Sequence, residues 1–139
     1  MAAITVTHVA GDAFRVGVRG HEFYVDQVQR DGEEAGPTPT ELFVASLAAC
    51  VGHYAERFLR RHDLPRQGLR VECEWKMLAA TPARVGRIQL RVTPPAAVPA
   101  ELRESMQEAI EHCTVHNSLR TAPEVTIRLA EPSDERLAA

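Results

Sequence analysis

The sequence predicts an α+β protein whose elements run in the order βββ-α-ββ-α-β. Three observations carry that prediction. The chain opens with three short stretches of alternating, β-branched residues separated by turn residues. Residues 38–62 then form one long helical stretch with its own start and stop signals. Finally, residues 69–79 alternate cleanly and are followed by a second alternating run at 85–92 and a second helical stripe at 100–112. A length of 139 residues fits one domain spanning residues 1–139.

Residues 3–9 (AITVTHV) read as the first strand, and Gly11-Asp12 as a turn. In residues 13–19 Phe14, Val16 and Val18 face one way and Arg15 and Arg19 the other. Gly20-His21 turns the chain into a third strand over 22–28, completing an antiparallel meander. Residues 30–36 (RDGEEAG) are a polar, acidic loop. It feeds a helix whose start is set locally: Thr38 as N-cap, Pro39 at the first helical position and Glu41 three residues after Thr38 form a capping box. Leu42, Phe43, Val44, Ala45, Leu47, Ala48, Ala49, Cys50 and Val51 cover nearly the whole circumference, the pattern of a helix buried on all sides in a core or subunit interface. The run is too short for a bilayer, which takes about 20 apolar residues. Its second half, 53–62, is amphipathic and stops at Asp63-Leu64-Pro65.

Leu69, Val71, Cys73, Trp75 and Met77 point to one side of the next strand. Ile88, Leu90 and Val92 do the same on its hairpin partner, with Thr81-Pro82-Ala83 between them. Pro94, Pro95 and Pro99 separate this hairpin from the helix over 100–112, where Leu102, Met106, Ala109, Ile110 and Cys113 share a stripe. Residues 114–119 read as a turn or helical cap, 124–129 (EVTIRL) as a last strand, and 131–139 as a polar, frayed tail.

A net charge of −3 with pI near 6.1 lacks the basic footprint of a nucleic-acid-binding surface, so no nucleic-acid partner is expected. No membrane partner is expected either. The first residues lack a charged start followed by an apolar stretch, and three widely spaced cysteines do not make a disulfide framework. Together these point to a reducing compartment, the cytoplasm.

Cys50, Cys73 and Cys113 are the chemically interesting residues. Free cysteine is usually a small buried hydrophobe, and Cys73, between Val71 and Trp75 on a strand face, fits that reading. Cys50 and Cys113 each precede a histidine by three residues, His53 and His116. Three functional readings stay open for that pair. The first is thiol redox chemistry, in which one sulfur becomes a sulfenic acid and the other condenses with it. The second is a zinc site built from two C-x2-H units. The third is an apolar pocket that holds a small ligand without chemistry.

The stretches GPTPTELFVASLAAC at 36–50 and HCTVHNSL at 112–119, with a hairpin and a helix between them and a βββ start, resemble the OsmC/Ohr proteins, thiol-dependent hydroperoxide reductases. The resemblance covers residues 4–130. It implies an OsmC/Ohr-like fold: an intertwined homodimer with central apolar helices between curved antiparallel sheets. It implies Cys50 as peroxidatic and Cys113 as resolving cysteine, a hydroperoxide substrate, an external dithiol reductant, and no cofactor or metal. In this family an arginine and a glutamate hold the thiolate and orient the peroxide. Arg30 matches the arginine of the osmotically induced branch, while Arg19 and Arg15 are candidates for the early-strand arginine of the organic-hydroperoxide branch. Thr40 stands where the family has its glutamate. Glu41 lies next to it, but about 100° around the helix, and already serves the capping box. The chain therefore resembles the OsmC-like branch. The implied function is a peroxidase cycling through a Cys50/Cys113 disulfide in oxidative-stress defence. The alternative is a redox sensor or small hydrophobic ligand-binding protein on the same fold. The resemblance gives no role to His53 or His116.

Overall fold

The computed structural model describes residues 3–132. Strands β1 (Ile4–Ala10), β2 (Ala13–Val18) and β3 (His21–Val25) form an antiparallel sheet in that order. Val6 lies opposite Val16 and Val16 opposite Phe23. β3 ends at Val25, three residues before the end that the alternation suggests. The cause is Asp26, a buried carboxylate that accepts from the amides of Gln27 and Ala35, while its own amide donates to the Pro37 carbonyl at 3.1 Å. Those bonds pull the backbone out of the ladder and fold residues 26–37 back along it. Gly36 is needed here: a Cβ on it would lie 2.0 Å from the Tyr24 carbonyl oxygen.

Helix α1 (Pro39–Arg61) starts as expected. Thr38 Oγ1 accepts from the Glu41 amide at 3.1 Å and Glu41 Oε1 accepts from the Thr38 amide at 2.9 Å. It ends in a Schellman turn: Asp63 takes a left-handed φ of 53°, and the amides of Asp63 and Leu64 donate to the carbonyls of Arg60 and Leu59. Val44, Leu47, Val51, Ala55, Phe58 and Leu59 are its buried stripe. Burial on all sides does not occur within one chain, because Phe43, Ala45 and Ala49 remain exposed. A single hairpin and a pair of short helices cover only one face of a helix this apolar.

β4 (Arg70–Leu78) and β5 (Arg84–Thr93) form a two-stranded antiparallel sheet, with Cys73 opposite Leu90 and Trp75 opposite Ile88, joined through a cis Thr81–Pro82 bond. This hairpin packs on α1. A 3₁₀ turn, Ala100–Leu102, leads into α2 (Arg103–Glu111), so the helix expected over 100–112 begins in tighter geometry. Residues 114–119, expected as a turn or cap, lie in a short helix, α3 (Thr114–Arg120). The larger core cluster joins Ala55, Phe58 and Leu59 of α1 to Val98 and Met106, with Leu64, Leu69, Val92 and Ile110 packed around it. Each large apolar side chain fully buried there contributes about 1.5–3 kcal/mol.

The last expected strand, residues 124–129, pairs with no strand among the described residues. Its alternating apolar members are bare: Val125 is 73% exposed, Ile127 91% and Leu129 99%. A strand needs an edge and an apolar surface to lie on, and among the described residues this segment is seated on neither. Ile4 and Val6 of β1 are likewise 63% and 56% exposed, so the meander contributes no residue to either core cluster. Residues 133–139 of the expected polar tail lie outside the described residues.

Candidate active site around Cys50 and Cys113

The second core cluster is built from Leu47, Val51 and Cys113, with Cys50, Tyr54, Val71, Ile88, Leu90, Ile110 and Val115 packed against it. Cys50 sits at the edge of the buried stripe of α1 and is half-buried, whereas Cys113 is fully buried. Cys113 gets there because α2 stops one residue earlier, at its C-cap His112, and the chain turns at once into α3 with Cys113 as N-cap. The Cys113 amide donates to the Ile110 carbonyl at 3.2 Å and its carbonyl accepts from the Asn117 amide at 2.9 Å. The Asn117 side-chain amide donates to the His112 carbonyl at 3.1 Å, so Asn117 holds both sides of the turn. Two residues remote in sequence are thereby packed into one cluster, and the Cys50 thiol lies near enough to act on that of Cys113.

Burial pushes the Cys113 thiol up from its ordinary value, and the neighbouring Cys50 thiol adds to that. The amides of His116 and Val115, at the start of α3, act in the opposite direction. Cys73, on β4, is also raised by burial, but it is only half-buried and belongs to neither core cluster, so the expected core placement does not hold within this chain.

One side-chain hydrogen bond crosses between the two cysteine-bearing helices: Tyr54 Oη and Thr114 Oγ1 lie 2.9 Å apart. Tyr54 is one helical turn beyond Cys50, and Thr114 directly follows Cys113. Arg57 stacks over the Tyr54 ring at 5.0 Å. These two residues escaped the sequence reading. The only signal for them is position, one turn and one residue from the cysteines.

The other expected site residues are not gathered here. Arg30 is exposed in the loop between β3 and α1 and forms no ion pair or hydrogen bond among the described residues. No arginine is among the groups acting on the Cys113 thiol. Arg15 pairs with Glu22 at 3.1 Å, and Arg19 occupies the β2–β3 turn with a φ of 50°. Thr40 is half-buried in the first turn of α1. Glu41 stays in its capping box, its carboxyl held below the usual range chiefly by the Thr38 amide. Nine residues of helix put it about 13 Å along the axis from Cys50. His53 is exposed, while His116 lines two cavities. Among the described residues, no three of His, Cys, Asp and Glu stand together as a metal-ligand group, so the two C-x2-H units do not assemble a zinc site.

The larger cavity, about 690 Å³, lies between β5 and α2, lined by Val51, Val92, Met106, Ile110, Arg103 and His116. The smaller, about 440 Å³, is lined by Phe43, Leu47, Ile88, Leu90, His116 and Leu119. Both reach neighbours of Cys50 on α1, but neither is lined by Cys50 or Cys113. No described helix is long and apolar enough to cross a membrane.

Solved structures share this architecture. A Psychrobacter arcticus protein named for the osmotic-stress and detoxification response superposes with a TM-score of 0.73 at 21% identity, over 85% of this chain and 88% of that one. An OsmC-like protein from Mycoplasma pneumoniae gives 0.68 at 16% identity, over 88% and 89%. The organic hydroperoxide resistance protein OhrB of Bacillus subtilis gives 0.60 at 19% identity, over 88% and 92%. At these identities the likeness is one of fold. Among curated proteins, none matches this chain in sequence. The family model of OsmC-like proteins matches residues 30–128, the greater part of the chain and both cysteine motifs, and the chain belongs to that family.

Proposed function

We propose that this protein is a thiol peroxidase that reduces organic hydroperoxides or hydrogen peroxide in the cytoplasm. The observation that carries the reading is the packing of the half-buried Cys50 into the same core cluster as the fully buried Cys113. Cys50 thiolate attacks the distal peroxide oxygen. The O–O bond breaks, the alkoxide takes up a proton and leaves as alcohol (water from hydrogen peroxide), and Cys50 becomes a sulfenic acid. Cys113 then attacks that sulfur as thiolate, the S–S bond forms, and the sulfenate oxygen leaves as water. An external dithiol reduces the disulfide and returns two thiols.

The working form is a homodimer. Support comes from apolar surface that one chain leaves uncovered: Phe43, Ala45 and Ala49 on α1, Ile4 and Val6 on β1, and Val125, Ile127 and Leu129. In that assembly the Arg30 guanidinium stands beside Cys50 and stabilises its thiolate. The membership in the OsmC-like family is the second support.

The test is a thiol count by intact mass before and after one equivalent of cumene hydroperoxide. The wild-type protein should lose two hydrogens, mapped to a Cys50–Cys113 disulfide, and Cys50→Ser should consume no peroxide. Ordinary peroxide turnover in Cys50→Ser sinks the assignment. The cavity of about 690 Å³ beside Val51 favours a second reading, a binding protein for small apolar ligands without turnover. Free thiols unchanged after long exposure to peroxide would put it ahead. Sedimentation of the native protein tests the dimer, and a monomer at micromolar concentration would remove it.

A further inference from the structure

We propose that the Tyr54–Thr114 hydrogen bond is a positioning device that sets how readily Cys50 and Cys113 close into a disulfide. The inference rests on that pair being the redox-active one. The two thiols belong to separate elements, and a disulfide forms without strain only when its two Cα atoms lie about 4.4–6.8 Å apart. Hydrophobic packing of Leu47, Val51 and Cys113 brings α1 and the start of α3 together, but such packing is non-directional and does not fix how one element is rotated against the other.

The 2.9 Å bond supplies that direction. Tyr54 lies on the Cys50 side of α1 and is packed against the same cluster as the cysteines. Thr114 is the residue after Cys113, so holding its side chain holds the Cys113 backbone. Among the described residues no other side-chain hydrogen bond joins α1 to α3. The Arg57 guanidinium, 5.0 Å from the ring centre, restricts the Tyr54 ring from the solvent side. Tyr54 and Thr114 touch neither sulfur in this role. They act through the alignment of the two cysteines.

The assay is equilibration with glutathione and its disulfide at fixed pH. Cys50 thiolate attacks the glutathione disulfide and releases one glutathione thiolate. Cys113 thiolate then attacks the mixed disulfide, forms the Cys50–Cys113 bond and releases the second, the two protein protons going to solvent. Acid-quenched mass spectrometry gives the equilibrium constant, without any peroxide.

Tyr54→Phe and Thr114→Val keep ring and shape but remove the bond. Each should lower the constant about fivefold, the scale of one neutral hydrogen bond, a shift of about 20 mV at about 30 mV per tenfold. Thr114→Ser, which keeps the hydroxyl, should stay near the wild-type value. The double variant Tyr54→Phe/Thr114→Val should fall no further than either single one. A wild-type constant in both single variants overturns the proposal while leaving the peroxidase reading intact. So does a double variant whose losses add, since that marks two independent packing effects. A wild-type protein that forms no Cys50–Cys113 disulfide in this buffer overturns both.

Discussion

Replacing Cys113 by serine separates the chemistry of this residue from its part in the core. The sulfur is fully buried among Leu47, Val51, Ile110 and Val115. Burying a hydroxyl in apolar surroundings costs about 1–3 kcal/mol on the scale of protein mutants. Residue 113 is, however, the N-cap of α3; its thiol makes no cap hydrogen bond, but the amides of Val115 and His116 lie close enough to lower its pKa and could donate to a serine hydroxyl. Serine is among the best N-cap residues, and that interaction contributes about 1 kcal/mol. The net loss is therefore about 0–2 kcal/mol. For a chain of this length about 3 °C of melting temperature corresponds to 1 kcal/mol, so Cys113→Ser should melt at most about 6 °C below wild type at equal concentration. Its chemistry should change far more. After one equivalent of hydroperoxide without added thiol, wild type should end as a disulfide. Cys113→Ser should end with one added oxygen on Cys50, trapped by dimedone. A melting point lowered by well over 10 °C would refute the capping argument. A Cys113→Ser protein that still loses two hydrogens, now to Cys73, would refute the assignment of Cys113 as resolving thiol.

The loop that carries Arg30 gives two further predictions. Gly36→Ala places a methyl group 2.0 Å from the Tyr24 carbonyl oxygen and 2.8 Å from its carbon, both backbone atoms that cannot rotate away. An overpacked site of this kind costs about 1–3 kcal/mol, so a thermal scan should show a drop of about 3–9 °C, and an unchanged midpoint would contradict the close approach. Asp26 is held below the usual carboxylate range first by the Ala35 amide, then by the Gln27 amide and the Gln29 side chain. Its folded value lies below its unfolded one, so its contribution is complete above the ordinary carboxylate value and is lost as pH falls through the folded value, below about pH 4. Protection of the Ala35 amide from hydrogen exchange should hold from neutral pH to about pH 5 and collapse below about pH 4. Asp26→Asn should remove that acid dependence, and an acid loss of protection that is unchanged in Asp26→Asn would rule out the carboxylate as anchor.

The sequence by itself determined the elements whose signals are local. The capping box of Thr38 and Glu41, the stop after His62, the alternation of β4 with β5 and the meander of β1–β3 are all decided by residues a few positions apart, and apart from the early end of β3 each lies where its pattern put it. The OsmC-like resemblance, carried by the two cysteine stretches, is likewise in the sequence and is matched over residues 30–128. What depended on distant residues was legible only in tertiary form. The fate of Val28 turned on Asp26 bonding to Ala35 and Pro37 across a loop. An apolar circumference on α1 says that something must cover it, but not whether the cover belongs to the same chain. The alternation of Val125, Ile127 and Leu129 states a strand propensity that finds no edge here. Most of all, the meeting of Cys50 with Cys113, and the Tyr54–Thr114 bond beside it, follow from how α1 packs against the turn between α2 and α3. Periodicity fixes which face of a helix is apolar. Only packing decides which two faces meet, and the site exists where they do.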